Sequence, residues 1–162
     1  MSNHIVLIEP EIPQNTGNIA RTCAASGAGL HLIKPLGFSI EDRYLKRAGL
    51  DYWNEVLMSC SDSFTELRQK YSGHSFFYAS TKAGKAYTDM AYPKDCFLVF
   101  GKETAGLPEE LLEANRESCV RIPMREGIRS LNLSNSVAII LYEVLRQQGF
   151  SNLNLKGRMG PE

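Results

Sequence analysis

Six short apolar runs separated by helical segments constrain this chain more than any other feature. HIVLI (4–8), LHLIK (30–34), EVLM (55–58), SFFYA (75–79), CFLVF (96–100) and CVRI (119–122) read as strands, with helical candidates at 16–26, 41–48, 62–71, 108–115 and 133–148. Several of the runs are continuously apolar rather than alternating, as expected when helices cover both faces of a sheet. Strands spaced by helices can join in parallel, so the expected architecture is α/β, a single domain with a mostly parallel sheet flanked by helices. The sequence shows neither an internal repeat nor a low-complexity stretch.

Length agrees with one domain. The chain has 162 residues, and a domain of about 150 residues buries roughly 70% of its unfolded surface, enough for a core without staples. Residues 1–150 are read as that domain, and the polar segment 151–162, SNLNLKGRMGPE, as a flexible tail. The longest apolar run, VAIILY, falls far short of the roughly 20 residues of a membrane span. The N-terminus lacks a basic segment followed by an apolar core, so the expected location is cytoplasmic, with no membrane partner. The cysteines at 23, 60, 96 and 119 form no CxxC pair, and His4, His31 and His74 stand apart in sequence. No metal site is therefore expected, and all four cysteines are read as small core residues. Eighteen basic against eighteen acidic residues give no global pull toward nucleic acid. Any such contact falls to two local clusters: RYLKR, with Arg43, Lys46 and Arg47, and the trio Arg121, Arg125 and Arg129.

In α/β sheets ligands gather where strands end at their carboxyl sides. Three loops there are unusual. EPEIPQNTGNIAR follows the first strand and carries Asn15 and Arg21. FGKETAGLP follows CFLVF, with Glu103 between Gly101 and Gly106, which allow close backbone approach. Before VAIILY stands VRIPMREGIRSLNLSNS, whose Ser130, Asn132, Ser134, Asn135 and Ser136 outnumber the single residue needed to cap a helix. A helix start and a polar ligand pocket are both open readings of that cluster. Phosphate-loop, dinucleotide and GxSxG patterns are missing, which removes ATP hydrolysis, NAD binding and serine-hydrolase chemistry.

NTGNIAR, FGKETAGLP and IPMREGIRSLNLSNSVAI together resemble the three sequence motifs of the SPOUT superfamily of RNA methyltransferases. LGFSIEDRYLKRAGLDYW resembles, more narrowly, the bacterial tRNA (cytidine/uridine-2′-O-)-methyltransferases within it. The resemblance implies a C-terminal deep trefoil knot and S-adenosyl-L-methionine as cofactor, with Ala79, Gly101, Ile122, Ser130 and Leu131 against it. It implies methyl transfer to a ribose 2′-hydroxyl of tRNA at the wobble nucleotide of the anticodon loop in leucine isoacceptors. Arg21 is the implied activating residue, with Asn15, Glu103, Ser130 and Asn132 positioning. A guanidinium is a poor base at neutral pH, so gripping phosphate and polarising the hydroxyl is the easier role for Arg21.

The last helix carries two apolar stripes. Val137, Ile140, Leu141, Val144 and Leu145 can meet the sheet; Ala138, Ile139 and Tyr142 lie beside them and call for a partner, most simply in a homodimer. Arg43, Lys46, Arg47, Arg129 and Tyr142 are the candidate RNA contacts. A binding-only module of the same fold, a 2′-O-methyltransferase acting on another RNA and an enzyme for a small acceptor remain as alternatives.

Overall fold

The structure is a computed structural model that describes residues 2–41, 43, 45, 47 and 54–161. Among these, six strands form one sheet: β1 (His4–Ile8), β2 (Gly29–Ile33), β3 (Met58–Ser61), β4 (Phe76–Ala79), β5 (Phe97–Phe100) and β6 (Cys119–Val120). Their spatial order is β3-β2-β1-β5-β4-β6, and every pairing is parallel. The helices that lie wholly within the described residues are α1 (Pro13–Ser26), α2 (Phe64–Lys70), α3 (Glu109–Ala114) and α4 (Leu133–Gln147), with 3-10 turns at Tyr87–Asp89 and Arg116–Ser118.

The unalternating strands are explained by two cores. Ile5, Leu7, Leu30, Leu32, Leu98 and Phe100 point to one face, where Ile19, Ala20 and Cys23 of α1 and the buried stripe of α4 cover them. Val6, Ile8, Ile33, Tyr78, Phe97 and Val99 point to the other, against Leu67 of α2 and Leu107. Val137, Ile140, Leu141, Val144 and Leu145 are all buried, each worth about 1.5–3 kcal/mol of transfer free energy. Their neighbours Ala138 and Ile139 are half-buried and Tyr142 is exposed. Phe150 and Leu153 close the first core from beyond α4.

Several expectations shift. The third strand lies at 58–61 rather than 55–58, because it is an edge strand paired only with β2 and needs no apolar run; Leu57 contributes its carbonyl to Leu30 N–H at 2.9 Å, while its side chain is exposed. For the same reason Cys60 is exposed, unlike the other three cysteines, and is not a core residue. Strand β6 stops at Val120, after which Arg121 pairs in a single bridge with Ala86. Helix α1 starts three residues before the expected position, at Pro13, whose missing N–H costs nothing in a first turn. Of the 41–48 segment, Arg43, Leu45 and Arg47 are helical and Leu45 is buried. The histidines do not stand apart: parallel register brings His4 Nδ1 to 3.0 Å from His31 Nε2, in a cluster with Tyr71, His74 and Phe97.

Candidate active site

At the carboxyl ends of β1, β4, β5 and β6 the loops converge on a cavity of about 500 Å³. The loop after β5 is its tightest wall. A Cβ on Gly101 would stand 2.1 Å from the Gly106 carbonyl carbon, so no side chain is possible there. Gly106 itself adopts φ 69°, in the left-handed region, and donates its N–H to Lys102 O at 2.8 Å, closing the loop on itself.

Two helix starts face this cavity. Helix α4 is capped by Asn132, whose Oδ1 accepts from Ser134 N–H at 2.9 Å, Ser134 Oγ–H at 2.6 Å and Asn135 N–H at 3.4 Å. Helix α1 has Ile12 at the cap position, no side-chain cap of its own and no acid in its first turn. Glu103, from the loop after β5, fills the gap. Its carboxylate accepts from Glu11 N–H at 2.8 Å and Ile12 N–H at 3.1 Å, an anion at the positive end of a helix. Asn15 joins the two starts. Asn132 Nδ2–H donates to Asn15 Oδ1 at 3.1 Å, and Asn15 Nδ2–H donates to Glu103 Oε1 at 3.4 Å. The cluster in the SLNLSNS stretch thus both starts a helix and lines a pocket.

Among the residues singled out from the sequence, Asn15, Ala79, Gly101, Glu103, Ile122, Arg129, Ser130, Leu131 and Asn132 all line the cavity. Arg21 does not; it is exposed on α1, about 9 Å further along the axis than Asn15 at 1.5 Å per residue. Tyr142, Arg43 and Arg47 are exposed and away from the lining, and Lys46 lies outside the described residues. Arg121, a member of the basic trio read from the sequence, lines the cavity with Arg129, and sequence reasoning passed over Lys82 and Lys102 beside them; together they give it a cationic rim suited to phosphate. Lys82 is paired with Glu109. It also passed over Glu11 and Thr104, which hydrogen-bond each other beside Glu103; an acid next to a helix start without a cap was the available signal. Among the described residues no group of three or more His, Cys, Asp or Glu is arranged to hold a metal, and no helix is long and apolar enough to cross a membrane.

A glycine-walled cleft with Leu107, Ile122 and Leu131 as apolar flanks and backbone groups at its edge can take a flat heteroaromatic ring with a polar appendage. In a parallel α/β sheet a cleft at the carboxyl end is where ligands bind, and the cationic rim suits it to a phosphate-bearing one. The chain belongs to the SpoU rRNA Methylase family, whose profile matches residues 2–142. A protein of Methylovorus glucosotrophus named tRNA (cytidine(34)-2′-O)-methyltransferase is 48% identical over 148 residues, covering 91% of this chain and 96% of that one. A Listeria innocua protein that carries the same name provisionally is 57% identical over 156 residues, covering 94% and 92%. A solved structure described for the 2-OH methylation of C/U34 on tRNA is 44% identical with TM-score 0.87, covering 91% of this chain and 97% of that one. The AdoMet-bound rRNA methyltransferase of Sinorhizobium meliloti is 26% identical with TM-score 0.80, covering 90% and 56%.

Proposed function

We propose that this protein is an S-adenosylmethionine-dependent tRNA 2′-O-methyltransferase acting in the cytoplasm on the wobble nucleotide, cytidine or modified uridine, of leucine isoacceptors. The observation that carries the reading is the single hydrogen-bonded chain Asn132–Asn15–Glu103, which joins all three motif loops around one cavity. A module that only bound RNA would have no use for that cavity. The relatives named for methylation at position 34 support the choice of nucleotide.

When bound, S-adenosylmethionine supplies an electrophilic methyl group. Ala79, Gly101, Ile122, Ser130 and Leu131 would hold it, the missing Cβ of Gly101 letting Gly106 fold close and form the wall against which it would lie. Asn15, Glu103 and Asn132 fix the floor on which the ribose rests. Arg21 stands outside the cavity and exposed, so its role, assigned from the motif it occupies, is toward RNA: its guanidinium grips the phosphate beside the target ribose and orients the 2′-hydroxyl from there. Arg129, with Arg43, Lys46 and Arg47, meets the anticodon-loop backbone.

The segment 121–132 leaves the sheet edge at β6 and returns past the loops after β4 and β5 to α4, which lies on α1; that path supports a deep trefoil knot within the methyltransferase domain, residues 1–150, the segment after it forming a tail. The half-buried Ala138 and Ile139 beside exposed Tyr142 support a homodimer through α4, with Tyr142 at the seam toward RNA. Ile139→Glu is expected to give a monomer in sedimentation, and a monomeric wild type at micromolar concentration would end the dimer. The function is tested by incubating the protein with labelled S-adenosylmethionine and total tRNA, then mapping modified nucleosides by mass. Label on ribose 34 is the expected result. Label on a base, or none, overturns the reading.

A further inference from the structure

We infer that Glu11 is a positioning residue for methyl transfer, the link through which the cofactor-side loop and the RNA-side loop hold the start of α1. The inference rests on the proposed activity. Glu11 and the 103–104 pair exchange bonds in both directions. Glu11 N–H donates to Glu103 Oε2 at 2.8 Å, and Glu11 Oε1 accepts from Thr104 N–H at 3.0 Å and from Thr104 Oγ–H at 2.7 Å. The Thr104 hydroxyl and amide hold the Glu11 carboxyl below the usual carboxylate range, so the acceptor is charged throughout the neutral range. This is a two-way clasp between loops that are 93 residues apart in sequence.

A third loop presses on the same residue. Gly37 donates its N–H to Pro10 O at 2.9 Å, and a Cβ on Gly37 would stand 2.8 Å from Glu11 Cα. Gly37 opens the segment that carries Arg43 and Arg47, so contact there requires the smallest residue. The chain enters this junction through Glu9, at φ 52°, a left-handed conformation that a residue with a Cβ holds only at a cost. Such strain persists where surrounding bonds over-determine the backbone, and the clasp provides them. Glu11 lies outside the cavity lining, so its effect on the reaction passes through Ile12 and Asn15, which do line it.

The test compares Glu11→Ala, Glu11→Gln and Thr104→Val in the full chain, measuring kcat and KM for tRNA, cofactor affinity by calorimetry, and Tm. Glu11→Ala is expected to lower kcat about tenfold, about 1.4 kcal/mol of transition-state stabilisation, with KM for tRNA and cofactor affinity within twofold of wild type. Glu11→Gln keeps an acceptor oxygen for both Thr104 donors and is expected to recover most of the loss. Thr104→Val is expected to lower kcat less, and to add nothing to Glu11→Ala in the double variant. A wild-type kcat in Glu11→Ala overturns the proposal. So does a cofactor affinity that falls in step with kcat, or a Gln variant as slow as the Ala variant. A wild-type chain that methylates no tRNA is a separate result: it removes the activity itself, and the inference with it.

Discussion

Helix α4 begins on Asn132, which caps it with its own carboxamide, whereas α1 begins on Ile12, which caps nothing and is served by Glu103 from 91 residues away in sequence. Both starts line the same cavity, and Asn15 joins them. A helix with a local cap is positioned by its own sequence; one capped by a distant loop is positioned only when that loop is in place. Since Glu103 belongs to the glycine-bounded loop that walls the cavity, the α1 start depends on the wall of that cleft. The α4 start does not. Chemistry assigned to α1 should therefore be separable from binding assigned to the stretch before α4.

The most severe way to test that division is Ser130→Trp, on the α4 side. Bulk in the cleft is expected to abolish cofactor binding and methyl transfer together, read by calorimetry and by transfer of label to tRNA. Arg21→Ala, on the α1 side, should do something different. Turnover is expected to fall on the order of 10²-fold to 10³-fold, the cost of losing a preorganised charged donor, while cofactor affinity stays within about twofold. Wild-type turnover in this variant would leave Arg21 a structural residue only, and the division between the two helix starts would lose its chemical meaning.

The contrast between local and distant capping also marks what could be read from the chain alone. HIVLI and CFLVF were legible because central strands buried on both faces are apolar throughout, and the SLNLSNS cluster was legible because its cap lies within its own first turn. MSCS was not, since an edge strand carries no such signature, and the apolar EVLM beside it drew the boundary three residues early. The first turn of α1 carried one local signal, Pro13 at a helix start, which was passed over; its capping group, Glu103, arrives through the sheet order β1-β5, which no local pattern encodes. The same holds for Glu11 with Thr104 and for His4 with His31: each pair is made by register between elements distant in sequence. Gly101 was read as permitting close approach, and the approach is real, but the group that comes close is Gly106 of the same loop.

A third polar network, at the opposite end of the sheet, offers a contrast in which neither helix start nor cavity takes part. His31 is buried; it sits within 3.0 Å of His4 Nδ1 and 2.7 Å of Ser59 Oγ, with Tyr71 and Phe97 around it. Burial, then the neighbouring His4 and Lys70, push its pKa down to about 4. The folded state thus holds His31 neutral where the unfolded chain, with an ordinary value near 6.5, binds a proton. Stability is full above about pH 6.5 and falls as pH drops toward 4, by on the order of 3 kcal/mol from this group. Urea unfolding at pH 7 and pH 4.5 checks it, with His31→Gln expected to flatten the difference. An unchanged midpoint in the wild type would show that His31 is protonated in the folded protein.

The smallest expected effect bears most directly on the two helix starts. Asn132→Ala and Glu103→Ala each remove one cap and are each expected to cost about 1 kcal/mol of stability, a fall in Tm of roughly 2–4 °C for a domain of this size. The two losses should differ in how they are repaired. Ile12→Ser gives α1 a hydroxyl at its own cap position, so in the Glu103→Ala background it is expected to restore about 0.5–1 kcal/mol. In the wild type the same substitution should gain a similar amount, because the new hydroxyl accepts from an N–H two or three residues on, while Glu103 accepts from those of Glu11 and Ile12. Methyl transfer should stay low in the repaired variant, since a serine at position 12 restores the cap without restoring the bond from Asn15 to Glu103. If Glu103→Ala leaves Tm unchanged, Glu103 does not hold the start of α1, and the dependence of that helix on the cleft wall falls with it.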